Sequence, residues 1–161
     1  MIVYHGTRSP SLILANGFSP SRGGEFGPGV YVTESIDSAR FWGGVVARGE
    51  ELPAVVRASV SLERPRRVLK TEWIKLTERS SPRSVQRRWM RAGHDGILGV
   101  GINGVDVQVV VFDPTALRDA EVIEREIPGI GWVEEPKAEP LSAAVLREAI
   151  GRLDRSGGGG R

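Results

Sequence analysis

Two short β-type runs beside glycine turns constrain this chain more than any other feature. The first, Tyr4-His5-Gly6-Thr7, comes almost at the N-terminus; the second is Gly27-Pro28-Gly29-Val30-Tyr31-Val32-Thr33. Each reads as a strand edge next to a glycine turn, and each carries one residue suited to handling a nucleotide, His5 or Tyr31. A third run, Val105-Asp106-Val107-Gln108-Val109-Val110-Val111-Phe112, puts polar residues on an otherwise apolar strand that Asp113-Pro114 then stops.

Between and after these runs the pattern alternates irregularly between helix and strand signals. Ser9-Pro10 predicts a helix start, with proline at the first helical position, and Asn16-Gly17 predicts its end. Ser19 to Gly29 is rich in Ser, Gly and Pro and reads as a loop. Ser35 caps a second helix carrying Ala39, Phe41 and Trp42. Ala54 to Leu62 alternates as a strand, whereas Val68 to Trp73 fits either state. Ser84 to Ala92 predicts an amphipathic helix closed by Gly93. Asp95 to Leu98 and Val107 to Phe112 predict strands around an Asn103-Gly104 turn, and Val122-Ile123 the start of a last edge strand. No internal repeat is visible. Helices scattered among five or six strands, with hairpin-like connections late in the chain, predict an α+β fold.

At 161 residues the chain is long enough for one core and short for two. The expected organisation is a domain over 1–126, a Pro/Gly-rich connector over 127–140, a helix over 141–155 and a disordered Gly-rich tail over 156–161. With no cysteine, thiolate nucleophiles, disulfides and Cys-ligated metals are excluded, and with only His5 and His94 a His-based metal site is not expected. No apolar run is long enough for a membrane span and no secretion signal is read at the N-terminus, so a cytoplasmic protein without membrane contact is expected. The basic residues Arg79, Arg83, Arg87, Arg88 and Arg91, with Arg64, Arg66, Arg67 and Lys70 before them, suit either an acidic partner or a solvated helix face.

His5, Tyr31 and Gln108, in this order and strand context, resemble the His-Tyr-Glu signature of ADP-ribosyltransferases of the poly(ADP-ribose) polymerase-like branch. The resemblance covers roughly Met1 to Leu117 and includes Ala39 and Trp42 of the following helix and the Asp95-Gly96 lead-in to the late strands. It implies two small, mostly antiparallel sheets around a cleft for NAD, with flanking helices. It implies that His5, Gly6, Thr7, Tyr31 and Trp42 bind NAD: His5 on the adenosine ribose, the Gly6 backbone on the nicotinamide carboxamide, Tyr31 on one face of the nicotinamide ring and Trp42 or Phe41 on the other. The chain departs from the family at Gln108, which stands in place of the glutamate that stabilises the oxocarbenium-like state. Glutamine keeps the reach and loses the charge.

Asp106, two residues earlier on the same strand face, is the candidate for a carboxylate acting beside Gln108. Glu25, in the loop Gly23-Gly24-Glu25-Phe26-Gly27 that would border the site, and Glu34, after the Tyr31 strand, could each supply the missing carboxylate, but both are set aside, because acids in loops and on surfaces are common. Arg8 could meet a pyrophosphate or lie in solvent. The resemblance implies transfer of a single ADP-ribose unit from NAD to a protein or nucleic-acid acceptor, with nicotinamide released and no metal required. An NAD-binding or NAD-hydrolysing relative, or a non-enzymatic interaction module, are the competing expectations.

Overall fold

The computed structural model describes residues 1–47, 49–101 and 107–136. Asp106, the Asn103-Gly104 turn, the expected helix at 141–155 and the tail at 156–161 lie outside the described residues. Among the described residues the order of elements is β1 (Ile2–Thr7), α1 (Pro10–Asn16), β2 (Val30–Thr33), α2 (Ile36–Phe41), β3 (Ala54–Val60), β4 (Arg66–Leu69), α3 (Lys70–Thr77), α4 (Pro82–Arg91), β5 (Gly96–Val100), β6 (Val107–Val111), β7 (Leu117–Ile127) and β8 (Gly131–Glu134). A π-helical turn, Trp42–Val46, prolongs α2, and a 3₁₀ turn, Pro114–Ala116, precedes β7.

The helix starts follow local chemistry. Ser35 Oγ accepts from the Ser38 amide at 3.2 Å, and Ser81 Oγ accepts from the Ser84 amide at 3.3 Å, one residue before proline opens α4. Gly17 ends α1 with φ 78°, a conformation that glycine adopts without steric cost. Lys70–Thr77 resolves the ambiguous stretch after Val68: β4 ends at Leu69 and α3 begins directly.

The fold is α+β, as the pattern predicts, but the two small sheets are one. Among the described residues eight strands join in the order β4-β5-β6-β2-β1-β3-β7-β8, with only β4 and β5 parallel. The physical reason is that β1 pairs along both of its edges. Those two seams are unequal. Ile2 to Thr7 of β1 are all registered against β3, whereas β1 meets β2 at one registered pair, Tyr4 with Thr33. The sheet is therefore continuous but weakly stitched at its middle.

β7 is not the short edge strand that Val122-Ile123 suggests. It runs for 11 residues between β3 and β8. Its mixed composition hides this, since Glu124 is buried there against the Arg40 guanidinium at 2.7 Å. The stretch expected as a connector supplies β8, which hairpins back onto β7 through a turn at Pro128–Ile130.

Each face of the sheet carries apolar packing. Val3, Val30, Val32, Val56, Ala58, Val109 and Val111 build one cluster with Phe18 and Leu117. Phe26, Val68, Trp73, Val85, Ile97 and Val110 build the other under α3 and α4. β6 contributes to both, so its valine run is buried on two faces and leaves Gln108 as the polar member of the second.

Candidate functional site

The weak seam is where the molecule opens. A cleft of about 410 Å³ is lined by Tyr4 to Thr7 of β1, by Tyr31 to Thr33 of β2, by the glycine-rich loop, by Ala39 and Trp42, and by Gln108. Of the residues expected from sequence, His5, Gly6, Thr7, Tyr31, Trp42 and Gln108 line it, and Asp106 lies outside the described residues.

They arrive by different routes. Register puts Tyr4, Gly6, Tyr31, Thr33 and Gln108 on one face of the sheet, since Tyr4 pairs with Thr33 and Thr33 with Gln108. His5 leaves β1 on the opposite face, where its ring meets Phe18 edge-on at 5.6 Å. It reaches the cleft because β1 and β2 part beyond their single registered pair. There His5 Nδ1 lies 2.7 Å from the Tyr31 carbonyl oxygen, a side-chain bond where the ladder has none. A carbonyl only accepts, so Nδ1 carries the hydrogen and the neutral ring keeps Nε2 as an acceptor. Burial holds the His5 pKa below the usual imidazole value, and the bond to Tyr31 opposes this only in part.

Gly6 answers a packing demand. A Cβ there would lie 1.9 Å from the Ala39 carbonyl oxygen and 2.4 Å from the Gly43 amide nitrogen. The backbone of α2 and its π turn thus rests directly on β1, which brings Trp42 to the cleft wall. Trp42 is 39% exposed and meets Phe41 edge-on at 5.6 Å. Thr7 is buried, and its Oγ1 accepts from the Ser9 amide at 3.0 Å in the turn that leads into α1. Arg8 turns toward the π turn, its guanidinium 3.4 Å from the Gly44 carbonyl.

Tyr31 fastens the loop. Its hydroxyl accepts from the Phe26 amide at 2.8 Å and donates to the Gly27 carbonyl at 2.6 Å. Gly24 lies flat against the ring, where a Cβ would come within 2.6 Å of three ring-end atoms. Burial raises the phenol pKa above its usual range; the Phe26 amide opposes this and the Glu25 charge adds to it.

Glu25, set aside in the sequence as a loop acid, is the residue that meets Gln108. Gln108 Nε2 donates to Glu25 Oε2 at 2.8 Å, and Lys70 Nζ ion-pairs with Glu25 Oε1. The main chain beside it is also held. Trp73 Nε1 donates to the Glu25 carbonyl at 2.7 Å, and Gln86 Nε2 to the Phe26 and Pro28 carbonyls at 2.8 Å each. The available signal was a glutamate inside a glycine-rich loop bordering the site. Lys70, read in the sequence only as a member of the basic cluster with Arg64, Arg66 and Arg67, acquires this partner from the fold. Glu34 is exposed and does not line the cleft.

A second groove, of about 820 Å³, shares Glu25, Thr33, Trp42 and Gln108 with the cleft and continues past Ser38, Phe41 and Lys70. The Glu25–Gln108 pair therefore stands where two cavities meet. The arginines of α4 lie on its exposed side, with Val85 and Gln86 buried beneath. Asp95, expected as a strand lead-in, accepts from the Arg64 amide at 3.2 Å and ties the β3–β4 connection to β5. Among the described residues no three His, Asp or Glu side chains are gathered closely enough to hold a metal ion, and no helix is long and apolar enough to cross a membrane. No protein-family model matches the chain, and no curated protein is similar to it.

Proposed function

We propose that this chain is an ADP-ribosyltransferase-like domain that uses NAD to transfer one ADP-ribose unit to a protein or nucleic-acid acceptor. The observation that carries the reading is the gathering of His5, Gly6, Tyr31, Trp42 and Gln108 from four separate elements onto one cleft. Each offers a group matched to part of the dinucleotide. Neutral His5 offers Nε2 as an acceptor for a ribose hydroxyl. Past Tyr4, the edge of β1 toward β2 has no registered partner, which leaves main-chain groups near Gly6 for a carboxamide. The Tyr31 ring and the Trp42 indole offer apolar faces to a cationic pyridinium. Gln108 reaches toward the ribose whose glycosidic bond breaks.

In the reaction the C1′–N bond cleaves and its electron pair leaves with nicotinamide. The ribose passes through an oxocarbenium-like state, and an acceptor nucleophile closes the new bond on the exposed face and gives up its proton. The second groove reaches this centre from the side opposite β1 and leaves room for an acceptor.

A thermal-shift titration with NAD, followed by assay of nicotinamide release and mass spectrometry of lysate proteins and nucleic acids incubated with labelled NAD, tests the proposal. NAD at 100 times its Kd should stabilise the fold by about 2.7 kcal/mol. No NAD-dependent shift ends the reading. Nicotinamide release without labelled acceptor favours the second reading, an NAD hydrolase, which Gln108 in place of glutamate makes the main rival.

A further inference from the structure

We propose that Glu25 and Gln108 together perform the work of one glutamate, Gln108 supplying reach and Glu25 supplying charge. The inference rests on the NAD reading above and assigns Glu25 as a positioning residue that acts through Gln108.

The geometry begins with an orientation. A terminal amide can present either its oxygen or its nitrogen, but the Glu25 carboxylate only accepts hydrogen bonds. Gln108 must therefore turn its NH₂ to Glu25, at 2.8 Å, and its oxygen away from it. That leaves Oε1 as an acceptor for a ribose hydroxyl, the contact that a glutamate oxygen makes. The bond to a carboxylate also shifts electron density in the amide toward Oε1, and the carboxylate lies directly behind it. Positive charge developing on the ribose thus meets a polarised oxygen with a negative charge one hydrogen bond further on.

An acid on a loop is ordinarily too loosely placed for such a role, and this one is not. Glu25 Oε1 is held by Lys70, whose ammonium also sits 5.6 Å from the centre of the Phe26 ring. Trp73 holds the Glu25 carbonyl, and Gln86 and Tyr31 hold the next residues of the loop. Lys70 offsets part of the charge, so the pair delivers a weaker field than a bare glutamate.

The arrangement gives the obvious repair an unexpected outcome. Gln108→Glu in the wild-type background sets two carboxylates against each other at hydrogen-bond distance, where they cannot both be ionised comfortably. Its nicotinamide release should fall below wild type. Glu25→Gln keeps the shape and an acceptor for Gln108 but removes the charge. It should lower kcat for nicotinamide release about 10- to 100-fold while changing NAD affinity less than about 3-fold. The double variant Glu25→Gln/Gln108→Glu moves the charge to the other partner and should return kcat to within about 3-fold of wild type.

The experiment measures kcat for nicotinamide release, NAD affinity and melting temperature for the full chain and all three variants. Loss in Glu25→Gln at unchanged affinity, with rescue in the double variant, is the expected result. A Glu25→Gln protein as active as wild type overturns the inference, as does an inactive one that Gln108→Glu does not rescue. Either outcome leaves NAD binding by the wild type intact and so spares the parent reading. A wild-type chain showing neither NAD-dependent stabilisation nor nicotinamide release removes both together.

Discussion

β1 and β2 end alike and do different things. Each finishes on a buried threonine, and each threonine Oγ1 accepts from the amide of a serine two residues on, Ser9 at 3.0 Å and Ser35 at 3.1 Å. Both serines then open a helix. Locally the two strand ends turn alike, a threonine hydroxyl accepting from the serine amide, although Ser35 alone of the two serines goes on to cap its helix through its side chain. Yet the ring that precedes each threonine by two residues is used in opposite ways. His5 turns to the Phe18 side and bonds across the seam, whereas Tyr31 faces the cleft and pins the loop over it. Register makes the difference. Tyr4 against Thr33 sets Tyr31 with Gly6, and not with His5, on the cleft face.

Substitutions along the two strands probe this comparison, the largest effect coming from β1. Gly6→Ala drives a methyl into the main chain of Ala39 and Gly43, neither of which can yield as a side chain would. It should cost about 3 kcal/mol or more and lower the melting temperature accordingly. A Gly6→Ala protein that melts with wild type would mean that α2 does not rest on β1.

Tyr31 on β2 separates packing from binding through two variants. Tyr31→Phe leaves the Phe26 amide and the Gly27 carbonyl without their partner and should cost about 1–2 kcal/mol of stability. Because the ring remains, NAD affinity should hardly change. Tyr31→Ala removes the ring and should weaken NAD binding by about 1–3 kcal/mol. Equal NAD affinity in both variants would make Tyr31 a loop anchor only.

The smallest effect is a pH dependence from His5. Its pKa is lowered from 6.5 in the folded chain, so between that value and the lower folded one the unfolded chain binds more protons. Stability therefore rises with pH across this window and is lost as pH falls through it, by at most about 1.4 kcal/mol per pH unit from this group. His5→Asn, which retains a donor for the Tyr31 carbonyl, should flatten the slope just below pH 6.5. An unchanged slope would show that His5 is not held neutral.

Much of the chain was legible in short windows. Serine and proline mark the starts of α1, α2 and α4; Gly17 marks an end; and the valine run of β6 and the short run of β2 appear where hydrophobic pattern predicts strands. Such signals need no distant partner, because caps, turns and alternation act within a few residues. β7 and β8 escaped for the converse reason. Leu117–Ile127 carries charges throughout and becomes an interior strand, one in from the edge, only because β3 and β8 flank it and Arg40 neutralises Glu124.

The candidate site divides along the same line. Sequence alone determined which residues stand on β1, β2 and β6 and that His5, Gly6, Thr7, Tyr31, Trp42 and Gln108 merit attention together. Only the tertiary structure decided that β1 and β2 part after one pair, that His5 bridges the gap, and that Gly6 lies beneath a helix. It also decided that Gln108 meets Glu25, 83 residues away, with Lys70 behind it. A strand's local sequence fixes its alternation but not its register, and a loop acid gains a role only when folding brings a partner within hydrogen-bond distance.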